Sequence, residues 1–265
     1  MARIDIGPIT LNVEEQGKGD PFIFIPGLVG LLNAWECQFE HFSDRFRCIA
    51  FDHRGTGDSD KPTDSYSTEI IAADVIALMD TLGIEKAHVA GTSTGGCVLQ
   101  NLAIDYPDRL NGCIFTNTWT TADEYIKRVQ TTRKRIAESY GPEAYVEVST
   151  LWTCGPYQFR NTLDKVFALE ARAKKTVAPV EVLVGRLDMT LSHDRTSELH
   201  KITNPSLVIG TKDDATVPGY FAEDLHKAIA GSRLALFDEG GHYSYRSKPE
   251  LWNGAVEEFF KEVNL

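Results

Sequence analysis

What this sequence lacks narrows its identity first. No run approaches the roughly 18 consecutive apolar residues that cross a bilayer, so no membrane span is expected. No CxxC pair occurs. The five cysteines (Cys37, Cys48, Cys97, Cys113 and Cys154) are odd in number and irregular in spacing. That argues against a disulfide framework and a zinc ligand set, so no metal is expected. Cys48 and Cys113 lie in apolar, strand-like runs and read as small buried hydrophobes. Basic charge is scarce: 27 Lys and Arg stand against 38 Asp and Glu, a formal net charge of −11. A field of that sign repels phosphate backbones and anionic membrane surfaces, which argues against nucleic acid or membrane as partner. It leaves room for an anionic small molecule, because local charge can oppose net charge. The opening Met1-Ala2-Arg3-Ile4-Asp5 has no apolar stretch of signal-peptide type, and a cytoplasmic location is the expectation. Internal repeats and low-complexity segments are missing too.

What is present reads as one α/β core. A chain of 265 residues with 42% hydrophobic content can bury a single large core. Short apolar runs alternate with helical patterns, the signature of a mostly parallel sheet with helices on both faces. The runs are Phe22–Ile25, Cys48–Phe51, Ala87–Ala90, Cys113–Phe115, Ser206–Ile209 and Leu234–Phe237. Ile4–Ile6 and Thr10–Val13 read as an antiparallel hairpin at the sheet edge. Helices are expected over Thr68–Leu82, with Thr68 as its cap, over Gly96–Tyr106, and over Leu251–Val263. The stretch 119–201 differs. It is rich in charge and carries long helical patterns, Ala122–Tyr140 and Tyr157–Lys175. It is expected to be a helical cap inserted after the sixth strand, with 1–118 and 202–265 forming the core. Such an insertion would lie over the carboxyl ends of the strands, where ligands bind in these sheets.

The strongest chemical signal is Gly91-Thr92-Ser93-Thr94-Gly95-Gly96, a G-x-S-x-G between a predicted strand and a predicted helix. A sharp turn there holds the serine in a strained conformation with its hydroxyl out of the sheet. The helix N-terminus beside it favours developing negative charge. The matching base is His242, in Asp238-Glu239-Gly240-Gly241-His242, after the last predicted strand. Serine, then acid, then histidine is the chain order this architecture expects. The acid lies in Gly210-Thr211-Lys212-Asp213-Asp214-Ala215-Thr216-Val217-Pro218. Counting forward from Gly210 selects Asp213; counting back from Pro218 selects Asp214. Asp214 is preferred because Pro218 starts the next helix and fixes the far end of the loop; Asp213 stays the alternative. Two decoys stand nearby. His53, in Asp52–Ser59, belongs to a tight Gly-rich loop read as structural. Asp188, in Gly185-Arg186-Leu187-Asp188, copies the acid motif inside the insertion.

These residues resemble the α/β-hydrolase superfamily over nearly the whole chain. Within it, the sequence looks like the group of 3-oxoadipate enol-lactonases and aminoacrylate hydrolases. Asn117-Thr118-Trp119, the basic helix Lys127–Arg135, Ala144-Tyr145-Val146-Glu147 and the acid loop carry the closer likeness. Pro26 stands where many relatives have histidine. The resemblance implies an oxyanion hole formed by the backbone amides of Leu28, in Pro26-Gly27-Leu28-Val29-Gly30, and Thr94. It implies a serine hydrolase that cleaves an ester, enol lactone or amide bond of a small polar substrate, with no cofactor. Other chemistry on the same triad (C–C bond hydrolysis, perhydrolysis or cofactor-free oxygenation) and a hydrolase-fold signalling receptor are the alternatives. A homodimer stays open. In the insertion, Trp119, Tyr125, Trp152, Tyr157 and Phe159 are candidate pocket walls, with Trp119 the best single choice. Arg128, Arg133, Arg135 and Arg160 are candidate carboxylate partners, although Arg133-Lys134-Arg135 reads first as a solvated face.

Overall fold

The sequence alternates residues that point to opposite faces of a sheet, and two buried layers result. In the computed structural model, which describes residues 1–63 and 66–264, Ile23 and Ile25 pack into one apolar cluster, while Phe22 and Phe24 pack into another. Among the described residues the strands are β1 (Ala2–Asp5), β2 (Thr10–Gln16), β3 (Asp20–Ile25), β4 (Phe46–Phe51), β5 (Ala87–Thr92), β6 (Leu110–Thr116), β7 (Ser206–Thr211) and β8 (Arg233–Phe237). They form one sheet in the order β1-β2-β4-β3-β5-β6-β7-β8. β2 runs antiparallel to β1 and β4; every pair from β4 to β8 is parallel. The fold is therefore the mostly parallel α/β sheet that the strand pattern predicts.

The helices are α1 (Glu36–Phe42), α2 (Thr68–Thr81), α3 (Thr94–Asp105), α4 (Glu124–Asn161), α5 (Leu163–Thr176), α6 (Val180–Ser192), α7 (Tyr220–Ala228), α8 (Ser244–Ser247) and α9 (Pro249–Glu262). Residues of α2 and α3 join the Ile23 layer, and residues of α1 and α9 join the Phe22 layer. Each fully buried Phe or Leu contributes roughly 1.5–3 kcal/mol. The start of α2 corrects the expected cap. Ser67, one residue earlier, accepts from the Ile70 amide at 3.1 Å. Thr68 instead lies 2.9 Å from Nδ1 of His193, tying α2 to the chain beyond α6.

α4, α5 and α6 all lie between β6 and β7 in the chain. An isolated bridge between Thr121 and Asp194 draws the two ends of this segment together. The expected helix over Tyr157–Lys175 is in fact broken, because α4 ends at Asn161 and α5 starts at Leu163. α4 itself turns sharply at Gly141 (φ 86°) and Gly155 (φ 66°), each followed by a proline. Glycine alone takes that φ without strain, and proline cannot donate to the preceding turn. No described helix is long and apolar enough to cross a membrane.

Two buried histidines make stability depend on pH. His88 lies in β5 against Phe22, Phe46 and Phe260. His193 has Thr68 and Gln100 on its two ring nitrogens. Burial holds both down to about 4, against an ordinary value of 6.5. As pH falls, the unfolded chain takes up these protons before the native one does. The stability they support is complete above about pH 6.5 and is lost progressively toward pH 4, on the order of 3 kcal/mol for each ring. Urea midpoints should therefore fall between about pH 7 and pH 4.5. His88→Leu should flatten part of that slope; an unchanged slope would remove His88 from the account.

Candidate active site

The parallel sheet gathers loops from distant parts of the chain at the carboxyl ends of its central strands. The loop after β3 carries Leu28, the turn after β5 carries Ser93, and the loops after β7 and β8 carry Asp214 and His242. β7 and β8 are hydrogen-bonded neighbours, so their following loops emerge side by side.

Ser93 has φ 54° and ψ −122°, the strained region expected of a serine held in a tight elbow. Its amide donates to the Thr116 carbonyl, and its own carbonyl accepts from Gly96, Cys97 and the Thr118 hydroxyl. Three glycines make that turn feasible. A Cβ at Gly91 would strike the Gly95 carbonyl, one at Gly95 would strike the Ile25 and Pro26 carbonyls, and one at Gly96 would strike the Thr118 side chain. The first two obstacles are backbone and cannot swing away. Gly95→Ala is expected to lower unfolding free energy by about 1–3 kcal/mol, read by urea denaturation. A fully stable Gly95→Ala protein would contradict this packing.

Asp214 and His242 are joined by a 2.7 Å bond between Oδ2 and Nδ1, with both residues buried. The other Asp214 oxygen accepts from the Thr216 and Val217 amides. Asn117, just past β6, donates to Oδ2 at 2.8 Å and to Thr211 Oγ1, and accepts from the Ser244 hydroxyl. Asp213 faces the same loop differently. Its carboxylate accepts from the Gly241 amide at 2.8 Å and the Gly240 amide at 3.2 Å. One aspartate thus meets the imidazole, and its neighbour anchors the backbone that carries the imidazole. The sequence could not separate these roles, because spacing leaves both within reach.

Ser93 and His242 line one cleft, with Gly27, Leu28, Thr216 and Tyr243. Gly27 leans on the serine: a Cβ there would sit 3.1 Å from Ser93 Cβ. The amides of Leu28 and Thr94 have no acceptor among the described residues, so both remain able to donate. The Leu28 carbonyl is held at 2.6 Å by Arg186, a fully buried residue of α6 that also donates to the Arg54 carbonyl. Burial lowers the Arg186 guanidinium to about 10.

Several sequence expectations need correction at this level. Trp119 is not among the residues lining the cleft of Ser93 and His242; it is buried among Cys97, Ala122, Ile126, Val217 and Phe221. Its position just past β6 turns the ring into the packing layer rather than toward Ser93. The Tyr157 side chain lies outside the described residues. Arg128, Arg135 and Arg160 are exposed. Arg133, read first as part of a solvated face, is buried and lines the cleft. Asp188 sits within α6, paired with Lys134 and remote from the β7 loop in sequence and in partners. His53 is buried beside Arg186, and burial together with that cation pushes it well below the ordinary histidine range. Asn117, Arg186 and the burial of Arg133 are the features that motif reading missed, since only tertiary contacts define them.

Fold and site together define a hydrolase of the α/β type, and the chain belongs to that family. The model of the alpha/beta hydrolase fold matches residues 20–249. The chain is 31% identical over 258 residues to a protein of Azorhizobium caulinodans named as a carbamate hydrolase, RutD, with 97% of both chains covered. It is also similar to the enol-lactonase of Burkholderia xenovorans LB400, at 25% identity and a TM-score of 0.87, covering 98% of this chain and 100% of that one. A thermophilic esterase of Thermogutta terrifontis, in a malate-bound structure, matches at 28% identity and a TM-score of 0.87, covering 97% and 95%.

Proposed function

We propose that the protein is a serine hydrolase that cleaves the acyl bond of a small ester, lactone, amide or carbamate. The observation that carries this reading is the strained Ser93 sharing a cleft with a histidine whose far nitrogen is bonded to a buried carboxylate. His242 takes the proton of Ser93 as its Oγ attacks the substrate carbonyl. Asp214 holds the imidazole in the required tautomer and stabilises its cation. The unpartnered Leu28 and Thr94 amides receive the oxyanion, each donor worth about 3–4 kcal/mol in the transition state. His242 then protonates the leaving alcohol or amine. Water, deprotonated by the same ring, splits the acyl-enzyme and restores Ser93. Every proton is returned and no external oxidant or cofactor enters. The helices between β6 and β7 act as a cap that walls the cleft.

The names of the relatives support this chemistry at the level they share. Carbamate hydrolase, enol-lactonase and esterase all describe attack on an acyl carbon bearing an oxygen or nitrogen leaving group. The test is covalent trapping. A fluorophosphonate should add one phosphonyl group per chain, and peptide mapping should place it on Ser93. Labelling at any other residue, or none, would sink the proposal. A panel of short esters, enol lactones, amides and carbamates, read by pH-stat, then ranks the leaving groups.

A further inference from the structure

Among the described residues, two buried positions other than glycine hold a left-handed backbone: Ser93, with φ 54°, and Asn117, with φ 45°. Strain of this kind persists where the surrounding structure over-determines it, and it gathers at functional sites. Asparagine tolerates that region better than most side chains. The Asn117 amide donates to the Ile209 carbonyl at 2.8 Å, which fixes the residue where the neighbouring strands β6 and β7 end. Its side chain is 1% exposed and points into a network rather than into an apolar layer.

Both polar atoms of the Asn117 side chain have partners, and chemistry fixes their directions. Nδ2 donates to Asp214 Oδ2 at 2.8 Å and to Thr211 Oγ1 at 2.9 Å. Oδ1 accepts from the Ser244 hydroxyl at 3.0 Å. An ionised carboxylate only accepts, so the nitrogen of the amide must face Asp214. Thr211 in turn donates to the Gly241 carbonyl at 2.8 Å. Gly241 and Ser244 bracket His242 in the chain, so one side chain holds the loop on both sides of the imidazole. Nδ2 also meets the same Asp214 oxygen that bonds His242 Nδ1 at 2.7 Å. With the Thr216 and Val217 amides on Oδ1, this carboxylate accepts four hydrogen bonds. That fills its roughly four lone-pair sites, so the group cannot turn without breaking several bonds at once. Asp213 stands outside this arrangement and holds the Gly240 and Gly241 amides instead.

We propose that Asn117 is a positioning residue for the hydrolytic step: it holds Asp214 Oδ2 and the His242 loop in the arrangement that presents the imidazole to the Ser93 cleft. This rests on the reading of that cleft as the site of acyl hydrolysis. Asn117 is not among the residues lining the cleft, so it acts through Asp214 and His242. Misplacing a catalytic group by about 1 Å costs on the order of a hundredfold in rate. A residue that never meets substrate can therefore set kcat while leaving KM alone.

The test compares the full-length wild type, Asn117→Gly and Asn117→Asp proteins. Glycine takes the left-handed φ freely, so Asn117→Gly removes the side chain without straining the backbone. The readouts are the rate constant and final stoichiometry of fluorophosphonate labelling, together with kcat and KM on p-nitrophenyl acetate. Asn117→Gly should still reach one label per chain, but about tenfold to a hundredfold more slowly. Its kcat should fall by the same factor, with KM within about threefold of wild type. Asn117→Asp keeps the shape of the side chain but donates to Asp214 only while its own carboxyl holds a proton. Two carboxylates sharing one site raise the pKa of one of them. The kcat of Asn117→Asp relative to wild type should therefore fall by about tenfold or more between about pH 6 and pH 9. A residue that merely fills space would give a ratio that is flat with pH, and that result overturns the inference. Labelling of Asn117→Gly within about threefold of the wild-type rate overturns it as well. So does a loss expressed wholly as a smaller labelled fraction, with the remaining sites reacting at the wild-type rate. Should Asn117→Gly fail to fold, the pH dependence of Asn117→Asp decides alone. Wild type that does not label at Ser93 counts against the hydrolase reading, while normal wild-type labelling with unchanged variants counts against Asn117 alone.

Discussion

Ser93→Ala is expected to lower kcat by about 10⁵–10⁶-fold, and His242→Ala by a similar factor. In the proposed mechanism the two groups act as a unit: without the imidazole the hydroxyl would keep its proton, and without the hydroxyl the imidazole would have nothing to activate. The double variant should therefore lose little more than either single one. About 10³–10⁴ of acceleration over water should survive, supplied by the Leu28 and Thr94 amides and by binding. Stability should hardly move. Ser93 is tied into the fold by its backbone, through Thr116, Gly96, Cys97 and Thr118, rather than by its side chain. Steady-state kinetics on the best substrate of the panel, with urea midpoints alongside, checks both halves. A Ser93→Ala protein that keeps more than about a tenth of wild-type kcat would rule out the acyl-enzyme route and favour chemistry in which the serine only positions the substrate.

The second large effect separates two adjacent aspartates. Asp214→Asn should reduce kcat by about 10⁴-fold. The Thr216 and Val217 amides demand an acceptor at Oδ1, so an asparagine there turns its NH₂ toward His242 Nδ1. A donor at that point forces the imidazole into the wrong tautomer and leaves its cation unsupported. Asp213→Asn should cost no more than about tenfold, because an asparagine carbonyl can still accept from the Gly241 amide at the price of roughly 1 kcal/mol. The ratio of the two variants' kcat values is the readout. Comparable losses in both would mean that the anchoring of the Gly240-Gly241 loop, rather than the contact with the imidazole, controls the rate.

Much of the architecture was open to a reader of the sequence because it rests on local periodicity. The Phe22–Ile25 alternation encodes a strand buried on both faces, and the glycines around Ser93 encode a turn that no bulkier residues could make. Helix ends were less legible. Ser67 and Thr68 are equally good caps on paper, and what decides between them is a histidine that lies 125 positions away in the chain. The insertion was the least legible part. Its two Gly-Pro kinks were visible as residues, but amphipathic spacing runs through Asn161 with no sign of the break that separates α4 from α5.

The chain alone determined which groups could do chemistry: one serine in a glycine elbow, one late histidine after two glycines, and two aspartates in a row. Those depend on neighbours in sequence, whose reach is set by backbone geometry. Tertiary structure alone decided how the groups are distributed. It gave His242 to Asp214 and the glycine amides to Asp213, hid Trp119 in a packing layer, and buried Arg133 against the neutral side chains of Gln130, Tyr145 and Ser149. Such outcomes follow from which loops the strand order brings together and from where water is excluded, and neither quantity is written in any short stretch of residues.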